Sequence, residues 1–149
     1  MLNSLRNPLV TLLTAILIFS LFPFATFVAS IPLIEKQWNL INTEVGAISG
    51  VYFLGYVLGA ILLVPLSDKY STKGTLFFAV CVSTFSHIAF SIFANGLLSA
   101  LLLRFISGAA FSAVYVIGQK IIGQNISAES RGSSIGLYVA GFYAGGGLS

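Results

Sequence analysis

Apolar residues along this chain fall in long unbroken blocks, neither alternating nor confined to one helical stripe. The blocks cover residues 9–31, 42–66, 74–94 and 97–118, and a fifth starts near Gly132 and is still running at Ser149. A helix needs about 20 mostly apolar residues to cross a hydrocarbon core of about 30 Å. Continuous apolarity selects helices over barrel strands, which would alternate between lipid and lumen. Polar punctuation separates the blocks: Pro32 with Glu35 and Lys36, residues 67–73, Asn95 with Gly96, and residues 124–131. No connection is long enough to hold a domain. An all-α integral membrane protein of about five transmembrane helices is expected.

Composition points the same way. Of 149 residues, 57% are hydrophobic and 7% charged, whereas a soluble domain carries roughly a quarter charged residues to face water. Arg6 ahead of the first block, with Ala29 and Ser30 near its end, has the outline of a signal peptide. A cleaved signal would release a soluble domain. Further apolar blocks follow instead, so the first block is expected to stay as a helix.

Charge sets the expected orientation. If the blocks alternate across the membrane, Arg6, Lys69, Lys73, Lys120 and Arg131 share one side, against Lys36 on the other. That bias places the amino terminus in the cytoplasm, in a multi-pass protein of the cell inner (plasma) membrane. Trp38 then sits at the outer interface. The net charge of +3 is too small and too scattered for a nucleic-acid footprint. The single cysteine, Cys81, excludes an internal disulfide and any multi-cysteine metal site. No phosphate loop, metal-ligand cluster or nucleophile–base set appears. No enzyme activity, cofactor or metal is expected.

Arg104 is the most informative residue, because it lies about seven residues into the fourth block. An arginine at helix centre costs about 2.5–3.5 kcal/mol on insertion scales, so it usually faces a bundle interior or a wet cavity. The alternative is a guanidinium that snorkels or braces two helices. Gly108, Phe111 and Tyr115 share its face at offsets of four, seven and eleven. Tyr52 and Tyr56 stand one turn apart on the second block and either line a cavity or fill it. Gly46 with Gly50, and Gly55 with Gly59, form small-xxx-small pairs on nearly opposite faces of that helix, which reads as packing. His87 could relay protons, although a hydrogen-bonded helix contact is the commoner use. Pro23 should kink the first helix, leaving Phe24, Thr26 and Phe27 beside the kink. No carboxylate lies in the middle of any block; Glu44 stands at the start of the second.

Two motifs carry a resemblance. Residues 64–73 read V-P-L-S-D-K-Y-S-T-K, which resembles the cytoplasmic signature between helices two and three of the major facilitator superfamily, roughly G-x-L-a-D-r-x-G-r-k. Leu66, Asp68, Lys69 and Lys73 match it; Val64, Ser71 and Thr72 depart. Residues 104–110 read R-F-I-S-G-A-A and resemble that family's fourth-helix pattern R-x-x-q-G-x-g-a, with Arg104 and Gly108 matching and Ser107 in place of the amide. Drug antiporters of the family carry G-x-x-x-G-P-x-x-G-G in the fifth helix. Gly141 and Gly145 fit, but Gly146 replaces the proline and Ser149 a glycine.

The resemblance implies a twelve-helix fold of two six-helix halves with solute bound between them, and this chain as an incomplete first half. It implies a secondary active transporter of a small solute, with an anion one option, working by alternating access with or without a coupling proton or ion. Arg104, Tyr52, Tyr56, Tyr115 and Phe111 would then meet solute or couple its movement. Asp68, Lys69, Lys73 and Arg131, joined by Lys120 and Glu129 from the next connection, would form a cytoplasmic gate. The implied partners are the lipid bilayer, the solute and a missing carboxyl-terminal half. The abrupt glycine-rich end admits one alternative, a truncated membrane fragment or helper subunit that does not transport.

Overall fold

The computed structural model describes residues 7–147 and forms six helices with no strand among them. They are α1 (Pro8–Trp38), α2 (Asn42–Leu62), α3 (Leu66–Lys69), α4 (Thr72–Phe93), α5 (Leu97–Asn125) and α6 (Ala128–Gly147). Arg6 and the last two residues of the fifth block lie outside the described residues.

Local chemistry explains the boundaries. Asn7 caps α1 by accepting a hydrogen bond from the Leu9 amide at 3.0 Å, and Pro8 at the first helical position has no N–H to leave unpaired. The helix closes at Asn39, which adopts a left-handed conformation and donates its N–H to the Glu35 carbonyl. Glu44 reaches back to the Ile41 amide at 3.0 Å to start α2. Ser71 caps α4 through the Gly74 amide. Pro23 and Pro32 sit inside α1, which continues through both. Each removes one backbone bond, and nearby hydroxyls return others: Thr26 donates to the Phe22 carbonyl and Ser30 to that of Thr26.

Among the described residues four helices are long and apolar enough to cross a membrane: Pro8–Trp38, Asn42–Lys69, Thr72–Phe93 and Leu97–Asn125. The first and last extend seven residues beyond the apolar blocks that revealed them. At 1.5 Å per residue, α5 is about 44 Å long, so it must project from a core of about 30 Å or tilt within it. Hydropathy marks only the part in hydrocarbon. Lys120, read from sequence as part of a connection, therefore stands on the last turns of α5. The α6 helix starts at Ala128, four residues before the fifth block, and is less apolar because Ser130, Arg131, Ser133 and Ser134 fall within its first two turns.

α5 is the buried helix, with α2 and α4 packed along it. The α2 contact is close because glycine allows it. A Cβ added at Gly55 would meet the Phe105 carbonyl, one at Gly59 the Ala109 carbonyl, and one at Gly108 the Tyr52 carbonyl. Gly46 and Gly50, the other pair on α2, meet nothing among the described residues. α6 lies along α1 by the same device, with Gly141 against Thr14 and Gly145 against the Ile18 backbone. The Tyr138 hydroxyl ties α6 to α5 by donating to the Val114 and Tyr115 carbonyls, at 3.1 and 3.3 Å.

Candidate functional site

Because Arg104 lies seven residues inside α5, it is about 10 Å from the helix start. It is 1% exposed, and its Nε, Nη1 and Nη2 all lack a hydrogen-bond partner. The guanidinium carbon instead lies 4.0 Å from the Phe27 ring centre, 4.5 Å from that of Tyr52 and 5.3 Å from that of Phe24. The ring quadrupoles offset part of the cost of burying the charge. They give its five N–H groups no acceptor, and no described carboxylate approaches. Phe24 and Phe27 come from α1, and α2 supplies Tyr52.

From Arg104 a run of ring contacts extends across the bundle. Phe24 meets Tyr52 at 4.8 Å between centres, Tyr52 meets Phe111 at 6.4 Å, and Phe111 meets both Tyr56 and Phe142 at 6.3 Å. Phe142 meets Tyr115 at 5.4 Å, and Tyr115 meets Tyr138 at 5.9 Å. The five residues singled out in the sequence, Arg104, Tyr52, Tyr56, Phe111 and Tyr115, thus belong to one continuous surface drawn from α1, α2, α5 and α6. Phe142 and Tyr138 complete it; the fifth apolar block contains both, but only its glycines stood out in the sequence.

Two clefts separate α1 from α4. One, of about 650 Å³, runs from Trp38 and Gln37 at the helix ends inward to Arg104 and His87. The other, of about 560 Å³, follows the first half of α1 past Leu12 and Phe19 and past Ser83 of α4. They meet at Pro23, His87 and Ile88. His87 does not make the ordinary interhelical hydrogen bond through Nε2, which is buried without a partner, as are the Ser83 and Tyr52 hydroxyls. Seven buried side-chain atoms among the described residues lack a partner: three on Arg104 and one each on Tyr52, His87, Ser83 and Ser134. All but the last gather around these clefts. Buried polar groups are normally paired, so this concentration makes the clefts the candidate site.

At the other end of the helices, Lys120 Nζ donates to Asp68 Oδ1 at 2.6 Å and to Ser67 Oγ at 2.8 Å. The Asp68 side chain is 70% exposed, so the pair joins α5 to α3 at modest energy. Arg131 turns away from it and donates to the Ile126 carbonyl, closing the end of α5 at 3.3 Å. Lys69 and Lys73 form no ion pair among the described residues. Of the four gate candidates the structure therefore pairs only Asp68, and with a residue read as part of the next connection. Lys120→Met is expected to cost less than about 1 kcal/mol of stability, the range of exposed ion pairs, and to lose even that in molar salt. Thermal unfolding at low and high salt checks it.

A model of the Major Facilitator Superfamily matches residues 12–149. An uncharacterised transporter of Rickettsia bellii is 32% identical over 68% of this chain and 26% of its own length. A transporter of Aspergillus oryzae of the same superfamily type is 34% identical over 78% of this chain and 24% of its own. A probable 4-methylmuconolactone transporter of Cupriavidus pinatubonensis is 26% identical over 86% of this chain and 30% of its own. The chain spans about a quarter of the length of the curated relatives it matches.

Proposed function

This chain belongs to the major facilitator superfamily, and from that footing we propose that it supplies one wall of the solute path in a secondary active transporter of small organic anions. Transport as such follows from the family and from relatives named as transporters, which speak for a carrier rather than a catalyst. The anionic solute rests on one observation: a guanidinium 1% exposed, two turns inside α5, with no acceptor on any nitrogen. A carboxylate or sulfonate would accept two parallel N–H bonds from it. The rings running from Phe24 to Tyr138 would carry the apolar body of the solute.

The multi-pass chain lies in the cell membrane, with the end bearing Lys69, Lys73, Lys120 and Arg131 in the cytoplasm by the positive-inside bias. The path is completed by a second half contributed by residues not in these 149, an expectation supported by relatives of whose length the match covers about a quarter. Alternating access then moves the two halves about the bound solute. Asp68 with Lys120, and Lys69, Lys73 and Arg131 around them, hold the cytoplasmic side closed.

The test is uptake by the full-length protein in proteoliposomes, using benzoate, acetate and a neutral analogue, benzamide. Saturable benzoate uptake is expected, with apparent affinity falling about a hundredfold in Arg104→Gln, since a charge-assisted bidentate contact is worth roughly 3 kcal/mol. Transport of benzamide with no competition from either anion would sink the anionic reading.

A further inference from the structure

We propose that His87 binds the coupling proton, so that a proton and an anion occupy the α1–α4–α5 cleft together. The inference rests on the reading of Arg104 as the anion site and adds what drives the movement.

Proton coupling needs a group that gains and loses a proton at depth. The four acidic residues of the sequence are Glu35, Glu44, Asp68 and Glu129, and all stand at helix ends or in the short α3. The middle of each span holds no carboxylate. His87, the single histidine of the sequence, is the group within them whose ordinary range straddles physiological pH. Its Nε2 is buried and makes no hydrogen bond, so no partner at that nitrogen fixes its protonation. On a well-satisfied structural histidine that nitrogen would be taken.

Position completes the case. His87 lines the cleft that reaches Trp38 and also the cleft that follows the first half of α1. A group at that junction can exchange protons toward either end of the helices. The groups facing it from α1 are uncharged, Ser20 and Pro23 in one cleft and Thr26 and Ser30 in the other. Its own helix contributes Ser83 and Ser91, also neutral. From α5 the charged group is Arg104, on whose far side stands the Tyr52 ring of α2. A protonated imidazole beside an unpaired guanidinium puts two positive charges in one weakly solvated cleft, which is unfavourable. An anion between them removes the repulsion. Anion binding therefore raises the proton affinity of His87, and by reciprocity protonation tightens the anion by the same factor. Net loading is one proton and one anion, an electroneutral pair.

The experiment uses the full-length protein in lipid nanodiscs and benzenesulfonate, which stays ionised throughout, so its own titration cannot imitate the effect. Binding is expected about tenfold tighter at pH 5.5 than at pH 8. With saturating ligand, the imidazole ¹⁵N signal of His87 should titrate about one pH unit higher than without it. His87→Gln should bind equally at the two pH values; the titration of the unaltered protein stands on its own if that variant misfolds. Binding that disappears in Arg104→Gln but is identical at both pH values, with an unmoved imidazole titration, overturns the proton site and leaves the anion site standing. No binding of benzenesulfonate, benzoate or acetate at either pH overturns both.

Discussion

Arg104→Met is expected to raise the unfolding temperature of the protein in detergent while abolishing anion binding. The two effects come from one cause. At helix centre an arginine costs about 2.5–3.5 kcal/mol to insert. Rings in the arrangement of Phe24, Phe27 and Tyr52 return roughly 0.5–2 kcal/mol each, yet three guanidinium nitrogens remain buried and unpaired. A buried group left without its bond costs about 1–3 kcal/mol. The balance favours removing the charge. Methionine keeps the length and the apolar stem, leaves no donor, and packs well against aromatic faces. A gain of about 1–3 kcal/mol is expected from the unmade bonds alone, or several degrees in the unfolding midpoint for a chain of this size. A midpoint several degrees lower would mean that the guanidinium braces α5 against α1 and α2, and its burial would then be structural. Stability rising while binding is lost is the pattern of a site maintained at the expense of the fold.

The second large effect belongs to Gly108→Leu. A Cβ at this position would strike the Tyr52 carbonyl, a backbone atom that no rotamer change can move. Gly55 and Gly59 hold the same approach from the α2 side against the Phe105 and Ala109 carbonyls. In lipid there is little hydrophobic drive between helices, so close packing carries much of the association. Overpacking of this kind costs about 3 kcal/mol when the neighbour cannot yield. Gly46→Leu provides the contrast, since a Cβ there meets nothing, and it should change stability by less than about 0.5 kcal/mol. Unfolding in mixed micelles with increasing sodium dodecyl sulfate separates the two. If Gly108→Leu unfolds where the unaltered protein does, α2 and α5 stand further apart than described here.

How much of this was legible beforehand follows from which interactions stay within one helix. Arg104, Phe111 and Tyr115 were visible as one face because they share α5 and its period, and Tyr52 with Tyr56 because they share α2. That these two groups meet was not visible, since it depends on how deeply Gly108 lets α2 settle. Phe24 and Phe27 appeared only as neighbours of Pro23, and their place over a guanidinium arises between helices. The ends were the weakest part. Lys120 was assigned to a connection because apolarity stops near Gly118, whereas hydrogen bonding carries α5 on to Asn125. His87 was read toward an ordinary contact, and its orphaned Nε2 is a fact of packing that no spacing encodes.

The way α6 rests on α1 bears on how the protein enters the bilayer at all. Serines and Arg131 crowd the first two turns of α6, and it falls outside the set of helices apolar enough to cross a membrane by themselves. Its partner, reached through Gly141 and Gly145, is α1, more than a hundred residues earlier in the chain. Synthesis therefore delivers α1 to the lipid long before the surface it was shaped for exists. Until α6 emerges, the groove of Thr14 and Ile18 must be covered by lipid chains or by the insertion machinery. Integration of α6 becomes an act of docking as much as of partitioning, and packing against α1 is the step that commits it to the membrane.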